Sequence, residues 1–190
     1  ETSHGFVELA ACNHRSDFDL SSHSKVSKKD LKVKDVESGK EFFPNVFEVS
    51  AGIDRTLFVL LDVCLKKEKR GPEERLFVSL HPRVAPFLAG IFPLVNKDGL
   101  NELAHNIFEG LLDDGFDVFF DEKGSIGKRY ARSDEIGVFG GITIDHQTKE
   151  DSTVTLRDRD SMKQIRIKVD SIPSVLMQIY RGVLFDKLKT

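Results

Sequence analysis

The sequence predicts an α/β protein, α+β over its whole length, in two parts. Three observations carry that expectation. From Leu88 onward, apolar runs of strand length alternate with segments of helical period, the signature of a sheet with crossover helices. Before that point, two strand-like stretches precede one amphipathic helix. A charged run with Gly71 and Pro72 as breakers lies between the parts and reads as a linker over residues 66–75.

In chain order, residues 6–12 mix β-branched, aromatic and small side chains and read as a strand. Residues 13–40 are polar, with a turn at Glu37-Ser-Gly-Lys40. Over residues 45–50, period 2 puts Phe47 and Val49 on one face and Glu48 and Ser50 on the other, a half-buried strand. Residues 53–67 are helical: Ile53, Leu57, Leu60, Leu61, Cys64 and Leu65 fall at helical spacing, and lysines follow at the negative end of the dipole. Residues 76–80 form a strand, and Pro82 and Pro86 punctuate the crossing.

The second part begins with a strand at 88–95 and a helix at 100–112 with Leu103, Ile107, Leu111 and Leu112 inward. A strand at 116–120 leads to a basic helix at 125–136 with Ser125 at its N-cap. Strands follow at 141–145, 153–157 and 165–169, and residues 171–188 are largely helical, with Pro173 in the first turn.

A chain of 190 residues holds one large domain or two small ones. With 39% hydrophobic and 31% charged residues it suits a soluble globular protein, and it has no run of roughly 20 apolar residues that a membrane span needs. Residues 1–5 match neither a signal nor a transit peptide, and the absence of an initial Met leads us to expect a further N-terminal part. Cys12 and Cys64 make no disulfide framework, which favours a reducing compartment: the cytoplasm, with the mitochondrion left open. A net charge of −3 neither demands nor forbids nucleic acid, because attraction to phosphate depends on local patches.

Several constellations carry chemistry, each beside a plainer alternative. Gly124-Ser-Ile-Gly-Lys128 fails as a phosphate loop on spacing, and Gly137-Val-Phe-Gly-Gly141 fails as a dinucleotide fingerprint. Lys128, Arg129 and Arg132 lie within about one helical turn and suit phosphate contact, with Tyr130 available to stack a base. The alternative is a solvated helix with local ion pairs to Asp134 and Glu135. Arg157-Asp-Arg-Asp160 places both arginines on one strand face, as a site or as a salt-bridge lattice. Glu48, Ser50, Asp54 and Arg55 surround a strand-to-helix junction at Gly52, where a carboxylate can bind an ammonium group or where side chains cap the helix. Cys12, His14 and His23 lack the spacing of metal ligands.

Three stretches carry a family resemblance. Thr153-Val-Thr-Leu-Arg-Asp-Arg-Asp160-Ser-Met-Lys-Gln-Ile-Arg166 and Gly124-Ser-Ile-Gly-Lys-Arg-Tyr-Ala-Arg-Ser-Asp-Glu-Ile-Gly137 resemble the anticodon-binding domain of the glycyl-tRNA synthetase family. Phe43-Pro-Asn-Val-Phe-Glu-Val-Ser-Ala-Gly-Ile-Asp-Arg55 resembles motif 3 of that family's class II catalytic domain. Gly5-Phe-Val-Glu-Leu and Arg15-Ser-Asp-Phe-Asp-Leu-Ser-Ser-His-Ser-Lys25 are similar to its segment between motifs 2 and 3.

The resemblance implies residues 1–75 as the end of an antiparallel catalytic sheet and 83–190 as an anticodon-binding domain with a mixed sheet flanked by helices. It implies ATP-dependent activation of glycine and its transfer to tRNA(Gly) by a homodimer. Glu48 and Ser50 would contact glycine; Glu8, Leu9 and Arg55 would contact ATP. Arg55 would be the catalytic arginine and Glu8 a support for Mg²⁺. Lys128, Arg129, Arg132, Arg157 and Arg159 are the expected tRNA contacts.

Departures from the family pattern are Glu48-Val49-Ser50 in place of Glu-Pro-Ser, and Asn13-His14-Arg15 in place of Ala-Asp/Asn-Arg. Motifs 1 and 2 are not among these residues, so the chain alone is expected to be inactive, and a severed sheet is expected to expose apolar surface. The alternative is a non-catalytic nucleic-acid-binding module similar to the accessory subunit of mitochondrial DNA polymerase.

Overall fold

A computed structural model describes residues 2–70 and 73–189, which divide into two units, Glu1–Val63 and Cys64–Thr190. The first unit contains β1 (Ala10–Ser16), α1 (Phe18–Ser27), β2 (Val33–Lys34), β3 (Glu41–Phe42), β4 (Val46–Ala51) and α2 (Ile53–Cys64). β1 and β4 form an antiparallel pair running from Ala10↔Ala51 to Ser16↔Val46, and β2 pairs with β3.

Helix α1 lies within the stretch read as irregular. It carries no buried residue, so no apolar stripe announces it, and it ends at Lys28 in the left-handed conformation. Phe47 and Val49 share a face as expected, but that face is open: they are 65% and 71% exposed. The unit's strands form only two separate pairs, β1–β4 and β2–β3, which is too little sheet to enclose a core. Ile53, Leu57 and Leu61 of α2 are likewise exposed.

The second unit opens with a hairpin, β5 (Leu65–Arg70) and β6 (Glu73–Val78). The expected linker over 66–75 is thereby corrected, and the helix begun at Ile53 stops at Cys64 rather than 67. In the hairpin register Lys67 faces Leu76 and Glu68 faces Arg75. The ion pairs Lys67–Glu74 and Glu68–Arg75 join the two strands, so the alternating charges stabilise a ladder instead of repelling into a tether. Gly71 and Pro72, the expected breakers, lie outside the described residues.

The main sheet has the order β11-β10-β9-β7-β8, built from β7 (Ala89–Pro93), β8 (Val118–Phe120), β9 (Gly140–Ile144), β10 (Thr153–Asp158) and β11 (Gln164–Lys168). β7 is parallel to β8 and β9, and β10 is antiparallel to both of its neighbours, which gives the mixed sheet expected. Helix α3 (Leu100–Asp113) connects β7 to β8, and α4 (Ile126–Glu135) connects β8 to β9. The short α5 (His146–Asp151) connects β9 to β10, closed by a capping box between Asp145 and Thr148. The last helix, α6 (Ile172–Tyr180), ends well before residue 188.

Alternation along the strands gives the sheet two unlike faces. Ala89, Ile91, Ile142, Ile144, Val154 and Leu156 have no exposed surface and pack with Leu100, Ala104, Ile107 and Leu111 of α3 and Ile172, Val175, Leu176 and Ile179 of α6. Of the four residues expected inward on α3, Leu112 is exposed, and Leu100 and Ala104 complete the stripe instead. The other face is aromatic and polar: Phe92, Phe119, Thr143 and Arg157 meet Tyr130 of α4 or one another.

Tyr130 comes so close to the sheet that a Cβ at Gly141 would stand 2.6 Å from its Cε1. Gly141→Ala is therefore expected to destabilise the second unit by about 1–3 kcal/mol through overpacking, read as a lower urea midpoint in far-UV circular dichroism.

Arg166 on β11 extends the polar face. Its Nη1 donates to Asp145 Oδ2 at 2.5 Å and its Nη2 to Thr153 O at 3.0 Å. Burial pushes the Asp145 carboxyl up, but Arg166 and the Thr148 backbone N–H outweigh it and hold the carboxyl below the usual range. The folded-state pKa is lowered, so this contribution is complete above the unfolded value of about 3.9 and is lost as pH falls through the folded value. Asp145→Asn should flatten the acid-side fall of Tm below about pH 4, with little effect on the shape of the curve between pH 5 and 7.

Candidate active-site cleft and nucleic-acid interface

In the first unit, the antiparallel pairing of β1 and β4 sets Ala11 opposite Ser50 and Ala10 opposite Ala51, at the point where β4 turns through Gly52 into α2. Glu8, Leu9, Ser50 and Arg55 line one open cleft of about 510 Å³ there, with Asp54 beside them. Arg55 Nη1 donates to the Glu8 carbonyl at 2.9 Å and stands 3.8 Å from its carboxylate. Both side chains are largely exposed, so the ion pair itself adds little stability and leaves the guanidinium available.

Glu48 is two residues before Ser50 on β4 and opposite Asn13 of β1. Its carboxylate is 3.4 Å from Arg15 Nε, and the same nitrogen donates to Asp19 at 2.6 Å. The Arg15 hydrogen bond holds Asp19 below the usual carboxylate range. Arg15 thus stands between two carboxylates, hydrogen-bonded to Asp19 and 3.4 Å from Glu48.

Among the described residues no group of three His, Cys, Asp or Glu side chains is arranged to hold a metal. Cys12 and Cys64 are free thiols. Glu8 is a single accessible carboxylate, a donor set that fits Mg²⁺ only in its phosphate-bound form, where the protein supplies one or two carboxylates.

In the second unit the expected tRNA contacts separate into two groups. Lys128 is exposed and has no charged partner among the described residues. Arg132 is 45% exposed and reaches the loop after β8, donating to Asp121 Oδ2 at 2.9 and 2.6 Å and to the Lys123 carbonyl at 2.6 Å.

Arg129, Arg157 and Arg159 are 3%, 6% and 1% exposed, so their expected place on the surface is corrected. Arg129 donates to the carbonyls of Pro93, Glu122 and Gly124, and burial lowers its pKa. Arg157 makes a two-pronged ion pair with Asp134 at 3.0 Å on each arm. Arg159 donates to the carbonyls of Leu80 and Gly137 and to Asp160. Tyr130 is also inward: its hydroxyl meets Thr143 Oγ1 at 2.5 Å, its ring packs edge-on to Phe92, and burial raises its pKa. The ring is not free to stack a base.

Of the two readings of Arg157-Asp-Arg-Asp160, the ion pairs are those of the salt-bridge lattice, but the two arginines do not share a strand face, because β10 stops at Asp158 and Arg159 belongs to the turn that follows. Burial of arginine is uncommon enough that a charged run reads as surface by default.

The loops that follow β7 and β8 lie at one end of the sheet, because those strands are parallel. Asn96 Nδ2 donates to the Glu122 carbonyl at 3.2 Å and ties these loops together. Asp121, Glu122 and Asp145 at this end are held by Arg132, Asn101 and Arg166, whereas Lys97, Lys123 and Lys128 are exposed. With Asp121 and Asp145 each paired to an arginine, the exposed Lys97, Lys123 and Lys128, together with Arg129, outnumber Asp98 and Glu122 and leave this end cationic in balance despite the net charge of −3. Lys97 and Lys123 were not singled out in the sequence, since each is an isolated lysine next to an acid.

The family described as Anticodon binding domain matches residues 89–179, which contain every strand of the main sheet. The chain is 42% identical to a glycine–tRNA ligase of Borrelia hermsii over 185 residues, 94% of this chain and 41% of that protein. It is 43% identical over 169 residues to the glycine–tRNA ligase of Mycoplasmopsis synoviae, covering 88% of this chain and 37% of that one. Against the Pyrococcus furiosus enzyme the identity is 42% over 160 residues, 83% of this chain and 28% of the relative. The chain spans between about a quarter and two fifths of the length of these relatives. With the mixed sheet and its flanking helices in place, the sequence belongs to the glycine–tRNA ligase family and carries an anticodon-binding domain.

Proposed function

We propose that the chain is the C-terminal portion of a glycine–tRNA ligase, with its second unit binding the anticodon region of tRNA(Gly). The observation that carries this is the cationic end of the sheet. Lys97, Lys123 and Lys128 are exposed there, on loops and a helix that Arg129 and Arg132 tie together from beneath. Lysines of this kind fix a phosphate backbone in register, and base readout then falls to the neighbouring polar groups.

In the same proposal the first unit contributes the back of the aminoacylation site. Glu48, positioned by Arg15, and Ser50 receive the glycine ammonium group; a substrate without a side chain is selected by steric exclusion of larger ones. Arg55 offers a planar guanidinium to adenine and the ATP phosphates, and the Glu8 and Leu9 segment forms the facing wall. Glu8 would hold Mg²⁺ together with phosphate oxygens, and the ion would offset the phosphate charge as pyrophosphate leaves. The homodimer and a cytoplasmic setting belong to the whole enzyme in this proposal. The gathering of Glu8, Ser50 and Arg55 around one cleft favours it over a non-catalytic binding module, which has no use for ligand residues.

The test is tRNA(Gly) binding by the 190-residue chain over a range of salt concentrations. Lys123→Glu combined with Lys128→Glu should weaken binding by about tenfold or more and reduce the slope of log K against log salt by about one per lost contact. Unchanged affinity and slope would overturn the assignment of this end. Glycine-dependent ATP–pyrophosphate exchange should be absent from this chain alone, in which no stretch resembles the family's motif 2.

A further inference from the structure

We propose that Glu122, held by Asn101, reads a base of the RNA bound at the cationic end of the sheet, accepting a hydrogen bond from an exocyclic amino group such as cytosine N4. This rests on the reading that the second unit binds the anticodon region. Its place follows from topology. β7 and β8 are adjacent and parallel, and the chain leaves them on opposite faces of the sheet. After β7 it enters α3, which packs on the apolar face with Ile91 and Ile142. After β8 it enters α4, whose Tyr130 packs on the other face against Phe92 and Thr143. Strands that part in this way leave a crevice beyond their carboxyl ends, where α/β sheets hold ligands.

Glu122 and Asn101 bridge that crevice, one from the loop after β8 and the other from the first turn of α3: Asn101 Nδ2 donates to Glu122 Oε2. The Glu122 backbone is fixed as well, its carbonyl accepting from Asn96 Nδ2 at 3.2 Å and from Arg129 Nη2 at 2.8 Å. Asp121 and Asp145 nearby are paired with arginines, and Asp98 is exposed on a loop. Glu122 differs from all three. It is half-buried, anchored by a neutral amide, and without an ion-pair partner among the described residues. A second observation is the buried Oδ1 of Asn101, which has no hydrogen-bond partner among them. Turning the amide over would set that oxygen against the carboxylate, so the bond to Glu122 fixes the orientation. The fold thus leaves a buried acceptor unsatisfied, which is costly, at the side chain that aims Glu122. Asn101 is a positioning residue.

A carboxylate accepts and cannot donate. It matches the amino group of cytosine and opposes the O4 carbonyl that uracil presents in its place. Glycine codons begin with guanines, so the anticodon of tRNA(Gly) offers cytosines. The surrounding lysines hold phosphates, which brings a base within reach of a negative group.

The probe is the anticodon stem-loop of tRNA(Gly), titrated into the 190-residue chain by fluorescence anisotropy. Stem-loops with uracil at each anticodon cytosine in turn are run beside it. Wild type should prefer cytosine by about tenfold or more at one position. Glu122→Ala should bring that ratio to about one at an unchanged melting temperature, and Glu122→Gln, which keeps an acceptor, should retain part of it. Asn101→Ala should lower the ratio several-fold. Lys128→Glu should weaken every stem-loop and reduce the salt slope while the ratio stands, a split that a merely structural role for Glu122 would not give. Discrimination by Glu122→Ala equal to that of wild type, or none by wild type, would overturn the assignment of Glu122 alone. Failure of every stem-loop to bind would overturn the anticodon reading, and this assignment with it.

Discussion

Asp134→Ala is expected to lower the unfolding free energy of the second unit by about 3–5 kcal/mol, among the largest losses available from one side chain in this fold. The reason is stoichiometric. One carboxylate, 4% exposed, is shared by two guanidiniums. Arg157 approaches with both nitrogens at 3.0 Å, and Arg75 donates from Nη2 at 2.9 Å and Nε at 3.2 Å. Removing the carboxylate leaves the buried Arg157 with no counter-charge and Arg75 with only the Glu68 carboxylate at 3.4 Å. Aromatic faces offset part of their desolvation: Arg75 stacks 4.0 Å from the Phe77 ring centroid and Arg157 lies 4.6 Å from that of Tyr130. Those contacts remain in the variant and do not replace the lost charge. Urea titration by far-UV circular dichroism reads the loss directly, and a drop below about 1 kcal/mol would mean the network carries no net stability.

A double-mutant cycle between Arg75 and Asp134 locates the effect. Arg75 is on β6, so the cycle measures how firmly the hairpin is joined to α4. Arg75 also donates to the carbonyl of Arg159, so Arg75→Met should cost more than a cycle partner confined to Asp134 would predict. This is the physical reason that residues 66–75 do not behave as a tether.

Periodicity and punctuation made much of the second unit legible. The alternating apolar runs from Leu88 onward correspond to β7 through β11, and the stripe on α3 was misjudged only at its edges, at Leu100, Ala104 and Leu112. What stayed hidden lacks a local signal. α1 has no buried face, and α5 is six residues long with a cap that reads like a turn. The hairpin's stability comes from cross-strand pairing that a linear charge count sees as solvation.

The site divided in the same way. Glu8, Leu9, Ser50 and Arg55 were assigned by motif resemblance, and the fold places them around one cleft because β1 pairs with β4. The arginines at 129, 157 and 159 were expected as tRNA contacts, with a salt-bridge lattice as the alternative for 157 and 159, since no pattern in the sequence tells a guanidinium that meets carbonyls from one that meets phosphate.

That ambiguity has a decisive experiment in Arg159. Arg159→Met should destabilise the second unit by about 3–5 kcal/mol without weakening tRNA(Gly) binding per folded molecule. The side chain is 1% exposed and stands among groups that need it. Its Nη2 donates to the Leu80 carbonyl at 2.8 Å and its Nη1 to the Gly137 carbonyl at 3.0 Å. Asp160 accepts from its Nε at 2.9 Å. Burial works to raise the Asp160 carboxyl, and Arg159 holds it below the usual range instead. Methionine fills much of the volume but leaves the two carbonyls without their donor, while Asp160, 44% exposed, keeps Ser79 Oγ at 3.0 Å. Lysine restores the charge but cannot reach all three acceptors at once, so Arg159→Lys should fall between the two. Lys128→Glu should do the opposite, losing affinity at an unchanged melting temperature. If Arg159→Met instead lost affinity while the melting curve stayed in place, its guanidinium would have to reach RNA, and the inward network described here could not be how the domain exists in solution.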